Sequence, residues 1–166
     1  MAAAALALFV VMMLTLGALR TLIQRRRTGD SGNRRTLSPS GSLGGSALTA
    51  TDIGYLTVGV GGPLAHWLGL PPVSGLQHPP VQVLGVVLTV VGILAAFGAQ
   101  MALGASWRIG VNDRERTALV TTGPFGWVRN PIFTAALIAF LGLALMVPNL
   151  VALIGWVLAL TGIQTQ

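Results

Sequence analysis

The chain has no cysteine and no lysine among its 166 residues, and only four acidic side chains. Without cysteine, disulfides, thiolate nucleophiles and cysteine-ligated metal centres are excluded. Charged residues make up 8% of the sequence, against roughly 25% in soluble domains, too few for an ordinary water-exposed surface. The two histidines, His66 and His78, stand alone. Metal sites need several converging ligands, so each reads as an interfacial residue and no metal is expected. Ionisable groups within apolar runs, the mark of transporters and proton relays, are nearly absent. Asp52 falls at the end of one such run, and Gln82 and Gln100 suit hydrogen bonds between helices. A channel or transporter is therefore disfavoured.

What the chain does have is apolar sequence, 53% of it, in blocks long enough to cross a hydrocarbon layer of roughly 30 Å. The pattern predicts an all-α polytopic membrane protein with about five transmembrane helices. A first span covers Ala2 to Leu19 and reaches as far as Ile23. Its charges, Arg20, Arg25, Arg26 and Arg27, follow the apolar run, the reverse of a signal peptide, so residues 1–23 read as a retained helix. Residues 24–50 read as an Arg/Ser/Gly-rich linker with too little apolar area to offset its ordering entropy, mobile and held at lipid headgroups by its arginines. A membrane domain over 51–166 follows. Its spans are expected at 51–70, 81–103, 132–147 and 150–163, with a cytoplasmic loop at 104–131. Pro63 among Gly59, Gly61 and Gly62 predicts a kink in the first of these. Residues 81–103 would extend about 35 Å as a helix. Pro148 and Asn149 break the last apolar run into a helical hairpin.

All ten positive charges are arginines, and all lie in the segments after the first and third spans. By the positive-inside rule these segments are cytoplasmic and the N-terminus is outside. With a net charge of +6, the expected partners are membrane lipids or an anionic cofactor, and no nucleic acid.

The loop 104–131 concentrates the chemistry: aromatics, arginines, acids and turn residues at the membrane surface. Asn112 with Glu115 three residues later is a candidate capping box. Gly123-Pro124 marks a turn, and Pro131 suits the first turn of a helix. Trp107 and Trp127 fall where tryptophan belts occur, and Arg108 and Arg129 could equally hold lipid phosphates.

Two stretches of this loop carry a resemblance: Gly-Ala-Ser-Trp-Arg-Ile-Gly at 104–110, and Leu-Val-Thr-Thr-Gly-Pro-Phe-Gly-Trp-Val-Arg-Asn-Pro-Ile-Phe-Thr at 119–134. They resemble the isoprenylcysteine carboxyl methyltransferase and phospholipid methyltransferase family of integral membrane enzymes, whose pattern is Gly-Pro-aromatic, then Val-Arg-His-Pro-x-Tyr. The resemblance covers about residues 81–166, and Thr28-Gly29-Asp30-Ser31-Gly32 resembles bacterial members, which implies a bacterial plasma membrane. It implies S-adenosylmethionine as cofactor and transfer of its methyl group to a lipophilic small-molecule or prenylated acceptor, first of all an isoprenylcysteine carboxylate. In-line displacement rests largely on positioning. Arginine can pair bidentately with a carboxylate, and aromatic rings can face the sulfonium. Carried over, the resemblance makes Gly123, Pro124, Trp127, Arg129, Asn130, Pro131 and Phe133 cofactor-binding residues, with Arg129 also the catalytic anchor. Trp107 and Arg108 become substrate-binding residues. Asn130 stands in place of the family's histidine, and Phe133 in place of its tyrosine. In the family, a cytoplasmic tail with a Glu-Glu pair follows the hairpin and completes the cofactor pocket. The sequence ends at Gln166, where that segment should begin, so the expectation is a fragment, a shortened form or a chain without a complete site. An inactive relative with an interaction role, or a reductase of related membrane fold, is the alternative.

Overall fold

Each apolar run forms a helix in the computed structural model, which describes residues 1–34, 43–109 and 120–165. Helix α1 (Ala2–Thr28) carries a π turn at Leu14–Leu19 and ends at Gly29, whose φ of 73° closes the helix in the left-handed region. Helix α2 runs from Leu43–Leu56 through a π turn, Thr57–Gly61, into Gly62–Trp67. The π turn ends two residues before Pro63, which has no amide to donate, so the regular hydrogen-bond ladder is interrupted around the residue expected to disturb it. Helix α3 is Pro79–Ala102, α4 Pro131–Met146 and α5 Leu150–Gln164. Helices α1 and α3 are long and apolar enough to cross a membrane, and α4 and α5 are shorter apolar helices. The chain is an all-α membrane protein. The N-terminus, the α2–α3 connection and the α4–α5 turn gather at one end, where Met1, His66, Gln77 and Pro148 border a cavity of about 230 Å³.

The segment 24–50 differs from the expected linker. Residues through Thr28 continue α1, and helix resumes at Leu43, earlier than the expected start at residue 51. Packing decides this. Gly162 of α5 lies against Thr51 and Ala47, and Gly54 lies against Ala159. That contact extends α2 into a sequence too polar to signal a span by itself.

The interior is built from small residues. Ala96, Ala135, Ala139, Ala144, Ala152 and Ala159 are buried, while Leu84, Val87, Val91 and Leu94 on α3 face outward. Lipid is as apolar as leucine, so helices associate through close backbone approach rather than through hydrophobic segregation. Helices α3 and α4 meet at Gly85, Gly92 and Gly142. There Thr89 Oγ1 donates to its own helix at Gly85 O (2.8 Å) and lies 3.3 Å from Ala139 O across the interface. Larger groups cluster near the other helices: Tyr55 stacks on Phe140 at 4.0 Å, and Phe9 meets Phe140 at 6.3 Å. Trp156 Nε1 donates to Leu137 O at 3.1 Å. Asn149 is the most constrained polar residue of the hairpin. It caps α5 by accepting from Ala152 N and donates to Gly62 O at 2.8 Å.

A Cβ at position 142 would sit 2.6 Å from the Thr89 amide nitrogen, whereas one at position 98 would meet nothing within 4 Å. Gly142→Ala should therefore lower stability by about 1–3 kcal/mol, and Gly98→Ala should not. Thermal unfolding of both variants in one detergent checks this; equal midpoints would contradict the close packing of α3 on α4.

Candidate active site

The loop between α3 and α4 lies at the end of the bundle where α1 also ends. Its described parts are 104–109 and 120–130. The expected Asn112–Glu115 capping box lies outside the described residues, as do Asp113, Arg114 and Arg116.

The first part is held by α1. Beyond α3 the chain makes a 3₁₀ turn at Gly104–Ser106, entered at Gly104 with φ 54°. Trp107 then turns inward and is only 2% exposed. Arg20, fully buried on α1, lies with its guanidinium carbon 4.5 Å from the centre of the Trp107 ring. Arg20 Nε donates to Gln100 O (3.3 Å), Nη1 to Gln24 Oε1 (3.0 Å) and Nη2 to Gly104 O (2.7 Å). Gln24, one helical turn on and also fully buried, donates to Ala105 O at 2.9 Å. Gln100 returns the contact by donating to Leu16 O in the π turn of α1 at 3.1 Å, the kind of interhelical bond expected of it. Gln100 Oε1 is buried and has no hydrogen-bond partner among the described residues.

The chain after α1 adds a second tie. Residues Gly32 to Arg34 lie parallel to Ile109: Ile109 N donates to Gly32 O (2.8 Å), and Arg34 N to Ile109 O (2.7 Å). Gly32 is needed here, because its φ is 71° and a Cβ would strike the Trp107 backbone and ring. Asp30 accepts from both terminal nitrogens of Arg34 and from Gly32 N, and lies 4.0 Å from Arg108. The Arg34 hydrogen bonds, then the Gly32 amide, hold the Asp30 carboxyl well below the usual carboxylate range, and the charges of Arg34 and Arg108 act in the same direction.

The second part enters α4. Gly123 (φ 59°) and Pro124 open a 3₁₀ turn, Gly123–Gly126, that contacts α3. Trp127 is 93% exposed, and Arg129 is exposed. Asn130 caps α4 by accepting from Phe133 N (3.4 Å), and Pro131 takes the first helical position, where no amide is required. Phe133 is half-buried.

The site residues expected from sequence thus fall into two groups at one end of the bundle. Trp107 and Arg108 follow the 3₁₀ turn after α3, and Gly123, Pro124, Trp127, Arg129, Asn130, Pro131 and Phe133 form the entry to α4. The Trp107 ring is buried against Arg20 and Gly32. Arg108 holds the turn by donating to Ala105 O and Trp107 O, each at 2.8 Å. Sequence reading missed Arg20, Gln24 and Asp30. The one available signal was Arg20 with Gln24 four residues on, which share one helix face at the end of an apolar run.

The family model described as phospholipid methyltransferase matches residues 81–164, just over half of the chain. No curated protein and no solved structure matches. The matched segment contains the whole loop, α4, α5 and α3 from its third residue on, and excludes α1 with Arg20, Asp30 just beyond it, and α2.

Asp30 titrates lower in the folded chain than in the unfolded one. Its tie therefore contributes stability above the ordinary carboxylate value of about 4 and loses it as pH falls through the depressed folded value. At neutral pH, Asp30→Asn should speed hydrogen exchange of the Arg34 and Ile109 amides while leaving α4 and α5 unchanged. Equal exchange in the two proteins would remove Asp30 from the tie.

Proposed function

The chain belongs to the phospholipid methyltransferase family, and from that premise we propose that it transfers the methyl group of S-adenosylmethionine to a lipophilic acceptor at the membrane face bearing the 104–131 loop. The observation that carries this reading is the match over 81–164 together with an exposed arginine, Arg129, one residue before the capped start of α4.

The residues present fit the cofactor's anionic end. Arg129 supplies a fixed positive charge able to pair with the carboxylate of the methionine part. The adjoining helix N-terminus adds the positive end of the α4 dipole. Asn130 uses its oxygen for the cap, which leaves its Nδ2 hydrogens for a ligand. Trp127 offers an open aromatic face suited to a sulfonium, and Gly123-Pro124 sets the turn that carries it. Phe133 gives an apolar wall one turn into α4. When bound, the cofactor supplies an electrophilic methyl group; the protein's task is to hold donor and acceptor in line.

Arg108 is the residue we assign to the acceptor. Its guanidinium can pair with a carboxylate, such as that of an isoprenylated cysteine. Such an acceptor would enter sideways from the lipid. The arginine asymmetry supports placing this face in the cytoplasm.

Calorimetric titration of the detergent-purified chain with S-adenosylhomocysteine tests the reading. Binding is expected, and Arg129→Ala should weaken it about tenfold or more, since a hydrogen bond to a charged group contributes about 1.5–3 kcal/mol. Unchanged affinity in the variant would remove Arg129 from the site. Absence of binding by the unaltered chain would overturn the reading itself. Methyl transfer to a prenylcysteine analogue, compared with a phospholipid amine, then decides the acceptor.

A further inference from the structure

We propose that Arg20 is a positioning residue for the methyl-transfer site: by capping the end of α3 from a neighbouring helix, it sets the place of Trp107 and hence of Arg108. This rests on the methyltransferase reading above for its functional part, and on α1 geometry alone for its structural part.

Arg20 is fully buried, and among the described residues no carboxylate is a hydrogen-bond partner of it. A buried guanidinium without a counter-ion is costly. Here its compensation comes from carbonyls at the C-terminal end of α3, the negative end of that helix dipole. Helix ends leave their last carbonyls without intrahelical donors. Gln100 O and Gly104 O receive Arg20, and Ala105 O receives both Gln24 and Arg108. The Trp107 ring covers the guanidinium face. The planar fork therefore ties the last turn of α3 at Gln100 to the following turn at Gly104 and stacks on Trp107 beyond it. A lysine could supply the charge but not the two directed donors and the stacking plane.

The consequence falls on Arg108, which follows Trp107 directly and bonds back to Ala105 O and Trp107 O. If the turn shifts, the acceptor's cation shifts with it, while Arg129 and the α4 entry stay where they are. Arg20 should thus act on the acceptor and not on the cofactor. It also means that α1, outside the family-matched segment, completes the site rather than merely anchoring the chain.

The test compares Arg20→Met and Arg20→Lys with the unaltered full chain, using two independent readouts. The first is hydrogen exchange followed by mass spectrometry. Peptides covering 103–109 should exchange faster in both variants, less so in Arg20→Lys, with α4 and α5 unchanged. The second is steady-state methyl transfer to a prenylcysteine analogue. The acceptor KM should rise about tenfold to hundredfold, the scale expected of a misplaced binding group, with S-adenosylhomocysteine affinity held. A loss of kcat at unchanged KM would indicate a smaller folded fraction and overturn the positioning role. Unchanged exchange at 103–109 would overturn the brace itself, whether or not the chain proves active. Should Arg20→Met fail to fold, Arg20→Lys and Trp107→Leu, which removes the stacking face, carry the same two readouts. If the unaltered chain binds no S-adenosylhomocysteine and transfers no methyl group, the methyltransferase reading and Arg20's role in it both fall, and the exchange result alone decides the brace.

Discussion

The end of the bundle that bears the candidate site depends on one buried cation. Arg20 lies at the end of the apolar run of α1 and is fully buried, yet its three donor groups all find partners and its face meets an indole. In a low-dielectric interior an arginine must be compensated or it destabilises the fold. The compensation is dipolar: carbonyls at the end of α3 and a π face take the place of an acid. Because one partner is a carbonyl of the turn, Gly104 O, and another is in the helix that the turn leaves, Gln100 O, satisfying the charge also fixes the turn. Charge burial and loop geometry are one interaction here. The neighbouring Asp30–Arg34 tie and the Gly32 approach to Trp107 then lock the chain after α1 onto the same turn.

The rest of the bundle follows a different rule. Away from this end, helices meet largely through Gly and Ala, with a few larger core residues such as Ile93 and Leu143, while many aliphatic residues of α3 point outward. Gly142 leaves room for the backbone of α3, and Gly155 and Gly162 leave room for that of α2. Close approach gives many weak dispersion contacts, with Thr89, Trp156 and Asn149 adding single directed hydrogen bonds. The motif loop is thus presented by a packed α3–α4 pair, with its two halves springing from adjacent helix ends.

Much of this was legible in the residues. The apolar runs and Pro148-Asn149 predict α3, the hairpin and its turn within a residue or two, because length and the absence of charge are the whole signal for a lipid-spanning helix. Asn130-Pro131 predicts the start of α4 because capping is local chemistry. The arginines past residue 20 read as linker, since charge in a sequence argues for solvent unless a partner is known. The partners of Arg20 lie some eighty residues away, and no local pattern reveals them. The early start of α2 was hidden for the same reason: Gly- and Ser-rich sequence becomes helix there only because α5 packs against it.

By itself, then, the sequence determined the membrane class, the helical hairpin, the asymmetric arginines and the motif that marks the family, because these follow from composition and from spacings of a few residues. Only the tertiary structure decided that Trp107 turns inward, that Arg20 and Gln24 close the end of α3, and that α1 belongs with the candidate site. Those outcomes depend on matching unsatisfied carbonyls to donors on a distant helix, a condition that exists only once the helices have packed.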